Sequence, residues 1–288
     1  MSKDTKFDMD VDDIAWCPGC GNFALHRILK SALDELELNP REVVLVSGIG
    51  QAAKLPQYTK GNMFNGLHGR ALPVAMAIKA TNPNLKVIVD SGDGCTYGEG
   101  GNHFTAQILR NSDITVIAHN NMIYGLTKGQ ASPTSLKGFK TPVQVNGVDN
   151  EPFNPLSAAI SQNISFASRI FVGDFEKSKD IIKQAIKNKG FSLVDAFCPC
   201  VTFNKFNTYK WYKENTYYLE AEYTPNNREQ AFERAIESEK YPLGIFYINN
   251  ERPAFWETTA AYKESKDPLF KRDLDLMRLK KLIESKRI

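Results

Sequence analysis

Apolar and polar residues follow two distinguishable rhythms along this chain. Phe23, Leu25, Ile28, Leu29, Leu33 and Leu36 recur at the spacing of one helix face, and Asn39-Pro40 should stop that helix. Val43-Val44-Leu45-Val46 is instead a short unbroken apolar run leading into Ser47-Gly48-Ile49-Gly50, which predicts a buried strand ending in a glycine turn. Helical spacing returns over Ala71–Ala80 and ends at Asn82-Pro83-Asn84. A second buried strand, Val87-Ile88-Val89, runs into Gly92-Asp93-Gly94. A helix over about 100–111 follows, then a third strand, Ile114–Ala118. The rhythm continues with a strand at Ile170-Phe171-Val172, an amphipathic helix over 175–188 and a strand over Phe191–Ala196.

Continuous apolar strands alternating with helices predict an α/β fold, an open, mostly parallel sheet with helices on both faces. The stretch 129–156 is rich in turn formers and reads as a long functional loop. Past residue 204 Tyr, Lys, Glu and Asn increase and the strand rhythm weakens, leaving a helix near 227–238 and a strand at Leu243–Ile248. The expected division is therefore a main domain over 1–204 and a C-terminal extension over 205–288. Leu274, Met277, Leu279, Leu282 and Ile283 near the end should dock on the main domain or on a partner.

With 288 residues, 42% of them hydrophobic, the chain can bury a sizeable core. Its 36 basic and 33 acidic side chains nearly balance, which argues against a nucleic-acid surface. No apolar run is long enough for a membrane span, and Met1–Asp8 lacks the apolar stretch of a secretion signal, so a soluble cytoplasmic protein is expected. Five cysteines cannot pair completely; Cys17/Cys20 and Cys198/Cys200 are two close pairs, more suggestive of metal or redox chemistry than of disulfides, and Cys95 stands alone as a packing residue.

Ligands of an open parallel sheet gather beyond the carboxyl ends of its strands. Three expected strand ends carry Ser47-Gly48-Ile49-Gly50, Gly92-Asp93-Gly94 and His119-Asn120-Asn121. The glycines flanking Asp93 let a phosphate approach the backbone, and a helix start near Gly100-Gly101-Asn102 would offer free N–H groups to it. Magnesium takes about six oxygens, several of them from phosphate and water. Asp93, the Asn121 amide oxygen and the Ile123 carbonyl could supply three. Asn121 follows Asp93 by 28 positions, one helix and one strand, and this segment resembles the thiamine-diphosphate motif.

Five further stretches resemble the beta subunit of 2-oxoacid:ferredoxin oxidoreductases over about residues 10–250: Trp16-Cys17-Pro18-Gly19-Cys20-Gly21, Leu67–Pro73, Tyr124–Gln130, Ser132-Pro133-Thr134 and Pro199–Asn204. The resemblance implies the diphosphate-binding half of a thiamine-diphosphate fold. It implies oxidative decarboxylation of a 2-oxoacid, 2-oxoglutarate before pyruvate, with coenzyme A taking the acyl group and ferredoxin the electrons. It also implies an alpha subunit of the same enzyme, in a dimer of αβ pairs, without which this chain should be inactive. By the same resemblance Gly48, Ile49, Gly50, His68, Gly92, Asp93, Gly94, Asn121, Tyr124, Gly125, Leu126 and Thr127 contact the cofactor. His68, Lys54 and Lys128 would face the reaction, while His26, His103 and His119 are expected to be structural.

The family also holds a [4Fe–4S] cluster on four cysteines. Cys17, Cys20 and Cys200 match three of them, but Gln51 occupies the position of the fourth. Three outcomes follow: Cys198 replaces the missing thiolate, the cluster keeps three cysteines and a weak or exogenous fourth ligand, or there is no cluster. If Cys198 and Cys200 share a strand, both face one side, which favours the first. The departure also keeps open a non-oxidative thiamine-dependent decarboxylase or carboligase, or a non-catalytic cofactor-binding subunit.

Overall fold

The computed structural model describes residues 5–11 and 13–287; Met1–Asp4, part of the stretch inspected for a secretion signal, lie outside them. Eight strands, β1 (Val43–Ser47), β2 (Asn62–Asn65), β3 (Lys86–Gly92), β4 (Thr115–Asn120), β5 (Phe166–Phe171), β6 (Ser192–Phe197), β7 (Thr216–Tyr218) and β8 (Tyr241–Ile248), form one sheet in the order β2-β1-β3-β4-β6-β5-β8-β7. Every neighbouring pair is parallel except β5 and β8. Nine α-helices accompany it among the described residues: α1 (Gly21–Glu35), α2 (Ala71–Thr81), α3 (Gly101–Arg110), α4 (Pro155–Ser161), α5 (Phe175–Lys187), α6 (Tyr209–Asn215), α7 (Arg228–Ala235), α8 (Phe255–Thr258) and α9 (Leu276–Ser285).

The central strands are buried because helices cover both faces, and successive side chains go to opposite cores. Val44, Val46, Val87, Val89, Val116 and Leu193 meet Leu72, Phe104, Ile108, Leu156 and Ile160 from α2, α3 and α4. Val43, Leu45, Ile88, Ile117 and Val194 meet Leu25, Ile28, Leu29, Ile181 and Ile182 from α1 and α5. The chain passes from β1 outward to β2 and then back across β1 to β3, so the sheet order reverses at β1. The crevice beyond the ends of β1 and β3 is thus a topological switch point, where ligands of such sheets bind.

β5 begins at Phe166, four residues before the expected Ile170. Its Ser168 and Arg169 are polar yet buried, each satisfied across the sheet, by the Leu193 carbonyl at 3.0 Å and the Asp195 carboxylate at 2.9 Å. α4 lies at the end of the expected long loop, started by Asn154, whose side chain accepts from the Leu156 and Ser157 N–H groups, with Pro155 next.

Beyond residue 204 the chain is woven into the sheet through β8, and Tyr262 reaches back to donate to the Ala80 carbonyl at 2.7 Å. α9 instead leaves Leu276, Met277, Leu279, Leu282 and Ile283 exposed. No helix among the described residues is long and apolar enough to cross a membrane.

Candidate active site

The ends of β1, β3 and β4 open onto a cavity of about 90 Å³. Ile49, Gly50, His68, Gly92, Asp93, Gly94, Asn121, Ile123, Tyr124, Gly125, Leu126 and Thr127 line it, joined by Gln51, Ala52 and Cys95. Of the residues expected at the cofactor, only Gly48 is absent from this wall. A side chain there would collide with the Cys95 sulfur, which the Gly69 N–H approaches at 3.2 Å, so Gly48 packs behind the wall against Cys95. Lys54 and Lys128 do not line the cavity. Lys54 sits in the short helix after Gln51, and Lys128 is exposed beside Thr127.

Asp93 is buried, and Ser132 and Thr134 each place a hydroxyl 2.6 Å from its Oδ2. Burial pushes its carboxyl up to about 6 against these hydrogen bonds, and no basic side chain pairs with it among the described residues. A buried carboxylate without a cation is costly, so this oxygen donor fits a divalent ion. Asn121 Oδ1 accepts from the Ile123 N–H at 3.0 Å, closing a tight turn in which Met122 adopts a left-handed φ of 55°. That turn presents both Asn121 and Ile123 to the cavity.

The turn rests on a buried polar scaffold. Asn120 donates to Asp195 Oδ1 at 3.0 Å, Tyr97 donates to the same oxygen at 3.1 Å, and Arg169 Nε donates to Asp195 Oδ2. Arg169 also lies over the Phe197 ring, 4.9 Å from its centroid.

α3 starts at Gly101, at the expected helix start near Gly100–Asn102, but residues 100–102 do not line the cavity. A single π-helical turn, Gly94–Gly98, begins directly after Asp93, so the backbone at the cavity is that of Gly94 and Cys95 rather than of residues 100–102. Gly94 is required there, because a Cβ would lie 2.1 Å from a ring atom of Tyr124. His68 stands at the cavity edge with Nδ1 3.2 Å from Glu99 Oε2, though not aligned as a hydrogen bond, and Tyr124 donates to the same carboxylate. Gly69, with φ 72°, lets this loop press against the Glu99 backbone. The remaining histidines, His26, His103 and His119, do not line this cavity. His26 pairs with Thr59 at 3.0 Å, His119 with Asn22 at 3.0 Å, and His103 with Arg70 at 3.1 Å.

A second cavity adjoins the first. Trp16, Cys17, Cys20, Asn22, Cys200, Val201, Thr202 and Phe203 line it, and it shares Gln51, Asn121 and Gly125 with the first cavity. Cys198 does not line it. β6 ends at Phe197 and Pro199 separates the two cysteines, so they do not share a strand face. Cys198 turns inward, donating to Asn22 Oδ1 at 3.3 Å, while Cys200 faces the cavity and receives the Phe203 N–H at 3.4 Å. Among the described residues no three His, Cys, Asp or Glu side chains are placed to hold a single metal ion.

Sequence reasoning gave no role to Ser132, Thr134, Glu99 or the Asn120–Asp195–Arg169 scaffold. Ser132 and Thr134 lie 39 and 41 residues from Asp93, beyond any local pattern.

Comparison with known proteins agrees with this geometry. Residues 46–196 match the family described as thiamine pyrophosphate enzyme, C-terminal TPP binding domain. Residues 200–264 match the family described as the C-terminal part of the pyruvate ferredoxin oxidoreductase beta chain. The 2-oxoacid:ferredoxin oxidoreductase subunit beta of Saccharolobus solfataricus is 42% identical over 248 residues, covering 81% of each chain. The chain belongs to the beta-subunit family of 2-oxoacid:ferredoxin oxidoreductases. Within that family the 2-oxoglutarate synthase subunit KorB of Methanocaldococcus jannaschii is 32% identical, covering 84% of this chain and 90% of the relative. A 2-oxoglutarate:ferredoxin oxidoreductase from Magnetococcus marinus, solved with 2-oxoglutarate, coenzyme A and succinyl-CoA bound, superposes with a TM-score of 0.90 at 29% identity. It covers 98% of this chain and 95% of its own. The expected parallel α/β architecture and family are thereby established for this oxidoreductase beta subunit.

Proposed function

We propose that this beta subunit works with an alpha subunit to decarboxylate a 2-oxoacid oxidatively, 2-oxoglutarate before pyruvate, forming the acyl-CoA and passing electrons to ferredoxin. The observation that carries this reading is the shared wall: Gln51, Asn121 and Gly125 border both the cofactor cavity and the cysteine cavity. That wall would separate a cofactor in the first cavity from an electron acceptor held by the cysteines of the second. The ligands in the Magnetococcus marinus structure support 2-oxoglutarate.

Asp93, Asn121 and the Ile123 carbonyl would hold Mg2+, which would supply positive charge for the diphosphate at the strand ends. Thiamine diphosphate, when bound, supplies the electron sink for cleaving the bond beside the substrate carbonyl. The chain's own groups bind, orient and shield. Ser132 and Thr134 aim the Asp93 carboxylate. Glu99 and Tyr124 position the His68 ring at the cavity edge, where it can hold a proton near a substrate oxygen. Lys128, exposed beside the lining residue Thr127, and Lys54, two residues after the lining residue Ala52, would offer a cation to a substrate carboxylate. Cys17, Cys20 and Cys200 would bind a [4Fe–4S] cluster, whose ligand sulfurs stand wider apart than those around one ion.

The test is turnover by the αβ complex supplied with a 2-oxoacid, coenzyme A and a one-electron dye. Dye reduction that requires coenzyme A and matches the carbon dioxide released is the expected result. Carbon dioxide without dye reduction selects a non-oxidative decarboxylase or carboligase instead. Absence of thiamine diphosphate binding in calorimetry would reduce the chain to a non-catalytic subunit.

A further inference from the structure

The cysteine cavity presents three thiols and one amide. Gln51 is anchored there because the Trp16 indole N–H donates to its backbone carbonyl at 2.8 Å, tying the Gln51 turn to the loop that carries Cys17 and Cys20. Its side-chain oxygen Oε1 is buried and has no hydrogen-bond partner. A buried carbonyl oxygen left without a donor is costly, and native structures rarely tolerate one without a ligand, ion or water to satisfy it. No titratable group competes for the place. Cys198, the remaining thiol of this region, is committed elsewhere: it is 1% exposed, points away from the cavity, donates to Asn22, and packs among Leu25, Ile28 and Val194. Bringing it to the cavity would require moving Pro199 and breaking the backbone bond from the Cys198 N–H to the Asn120 carbonyl, 2.9 Å.

We infer that Gln51 Oε1 faces the fourth iron of a cluster held by the thiolates of Cys17, Cys20 and Cys200. This rests on the cluster reading above and specifies its fourth corner. The orphan oxygen is then satisfied by a Lewis acid. An amide oxygen is a hard, neutral donor, poorly matched to an iron–sulfur core that prefers thiolate. The fourth iron is consequently distinct from the other three and the first to leave. Oxidation of the core by one electron, taken up by ferricyanide, releases that iron as Fe2+ and leaves a three-iron core on the three thiolates. Gln51 also borders the cofactor cavity, so the distinct iron is the corner nearest the thiamine site.

The experiment is Mössbauer spectroscopy with iron and sulfide analysis of the anaerobically prepared αβ complex, wild type against Gln51→Cys and Cys198→Ala. In the wild type one iron in four should give its own subspectrum and be lost on ferricyanide treatment. Gln51→Cys should make the four irons alike and retain them through the same treatment, whereas Cys198→Ala should match the wild type. Four equivalent irons in the wild type, or a cluster that Cys198→Ala disrupts and Gln51→Cys leaves unchanged, would overturn the assignment. Iron in Gln51→Cys but none in the wild type would overturn it as well, while keeping the cavity as a cluster site. No iron in any variant would remove the cluster altogether. The thiamine reading stands or falls separately, on calorimetry of the same samples.

Discussion

The two cavities that meet at Gln51, Asn121 and Gly125 are built differently. The cofactor side stands on strand ends and a buried polar scaffold, in which Arg169, Asp195, Asn120, Thr134 and Asp93 are linked by successive contacts of 2.6–3.0 Å. The cysteine side is formed by loops: Cys17 and Cys20 precede α1, Cys200 follows β6, and an indole contact holds Gln51 to them. A magnesium–diphosphate site needs a few oxygens fixed by rigid elements. A cluster brings its own rigid core, so its protein ligands can come from loops that the core itself orders.

The sharpest way to break this comparison is Asp93→Ala. It removes the carboxylate at the head of the scaffold and should weaken magnesium-dependent thiamine diphosphate binding by at least about 100-fold, with the fold retained. Isothermal calorimetry reads the loss, and unchanged affinity would show that the strand ends are not the metal site. The next largest effect should come from the scaffold's base. Arg169→Met leaves Asp195 as a buried carboxylate without its cation, a change that costs about 3–5 kcal/mol. Urea unfolding of the apo chain measures it, and a loss below about 1 kcal/mol would mean that Asn120 and Tyr97 suffice to hold Asp195.

The same contrast explains what could be read from the sequence. Strand ends on the cofactor side are legible because apolar runs stop abruptly at Gly92-Asp93-Gly94 and at Asn120-Asn121. The start of β5 is not, because Ser168 and Arg169 interrupt its apolar run and are satisfied by partners on β6. β2 is illegible for the opposite reason: Asn62–Asn65 form an exposed edge with no inward face. The cysteine side shows its residue types but not their directions. Cys198 and Cys200 look equivalent in a Cys-Pro-Cys string, and only the end of β6 with Pro199 sends one inward and one to the cavity.

Acid should sharpen the comparison from the other side. His26 lies under Trp16, with ring centroids 5.9 Å apart, and burial pushes its imidazole down from the ordinary 6.5 to about 4. Between those values the unfolded chain binds more protons than the folded one, so the contribution is fully present above pH 6.5 and is lost as pH falls toward 4. The loss approaches about 3 kcal/mol, from about 1.4 kcal/mol per pH unit. His26→Gln, which keeps a partner for Thr59 without a titrating ring, should flatten the dependence of the urea midpoint on pH between about 7 and about 4.5. An unaltered slope in that variant would place the acid sensitivity elsewhere.

The smallest effect tests how finely the cofactor side is tuned. Thr134 Oγ1 lies 2.6 Å from Asp93 Oδ2 and 2.9 Å from Asn120 Oδ1, two acceptors for one hydroxyl proton. Asn120 Nδ2 is committed to Asp195, so its amide cannot flip to offer a donor. The proton therefore goes to the nearer, charged Asp93, while Asn120 Oδ1 takes the Met122 N–H at 3.3 Å. Thr134→Val keeps the packing and deletes that donor, leaving Ser132 alone to aim the carboxylate. Thiamine diphosphate binding should weaken about 10-fold through the metal, and Thr134→Ser should restore it. Equal affinities in the three proteins would show that Ser132 alone fixes Asp93, and that the scaffold below Asn120 supports the turn without reaching the metal.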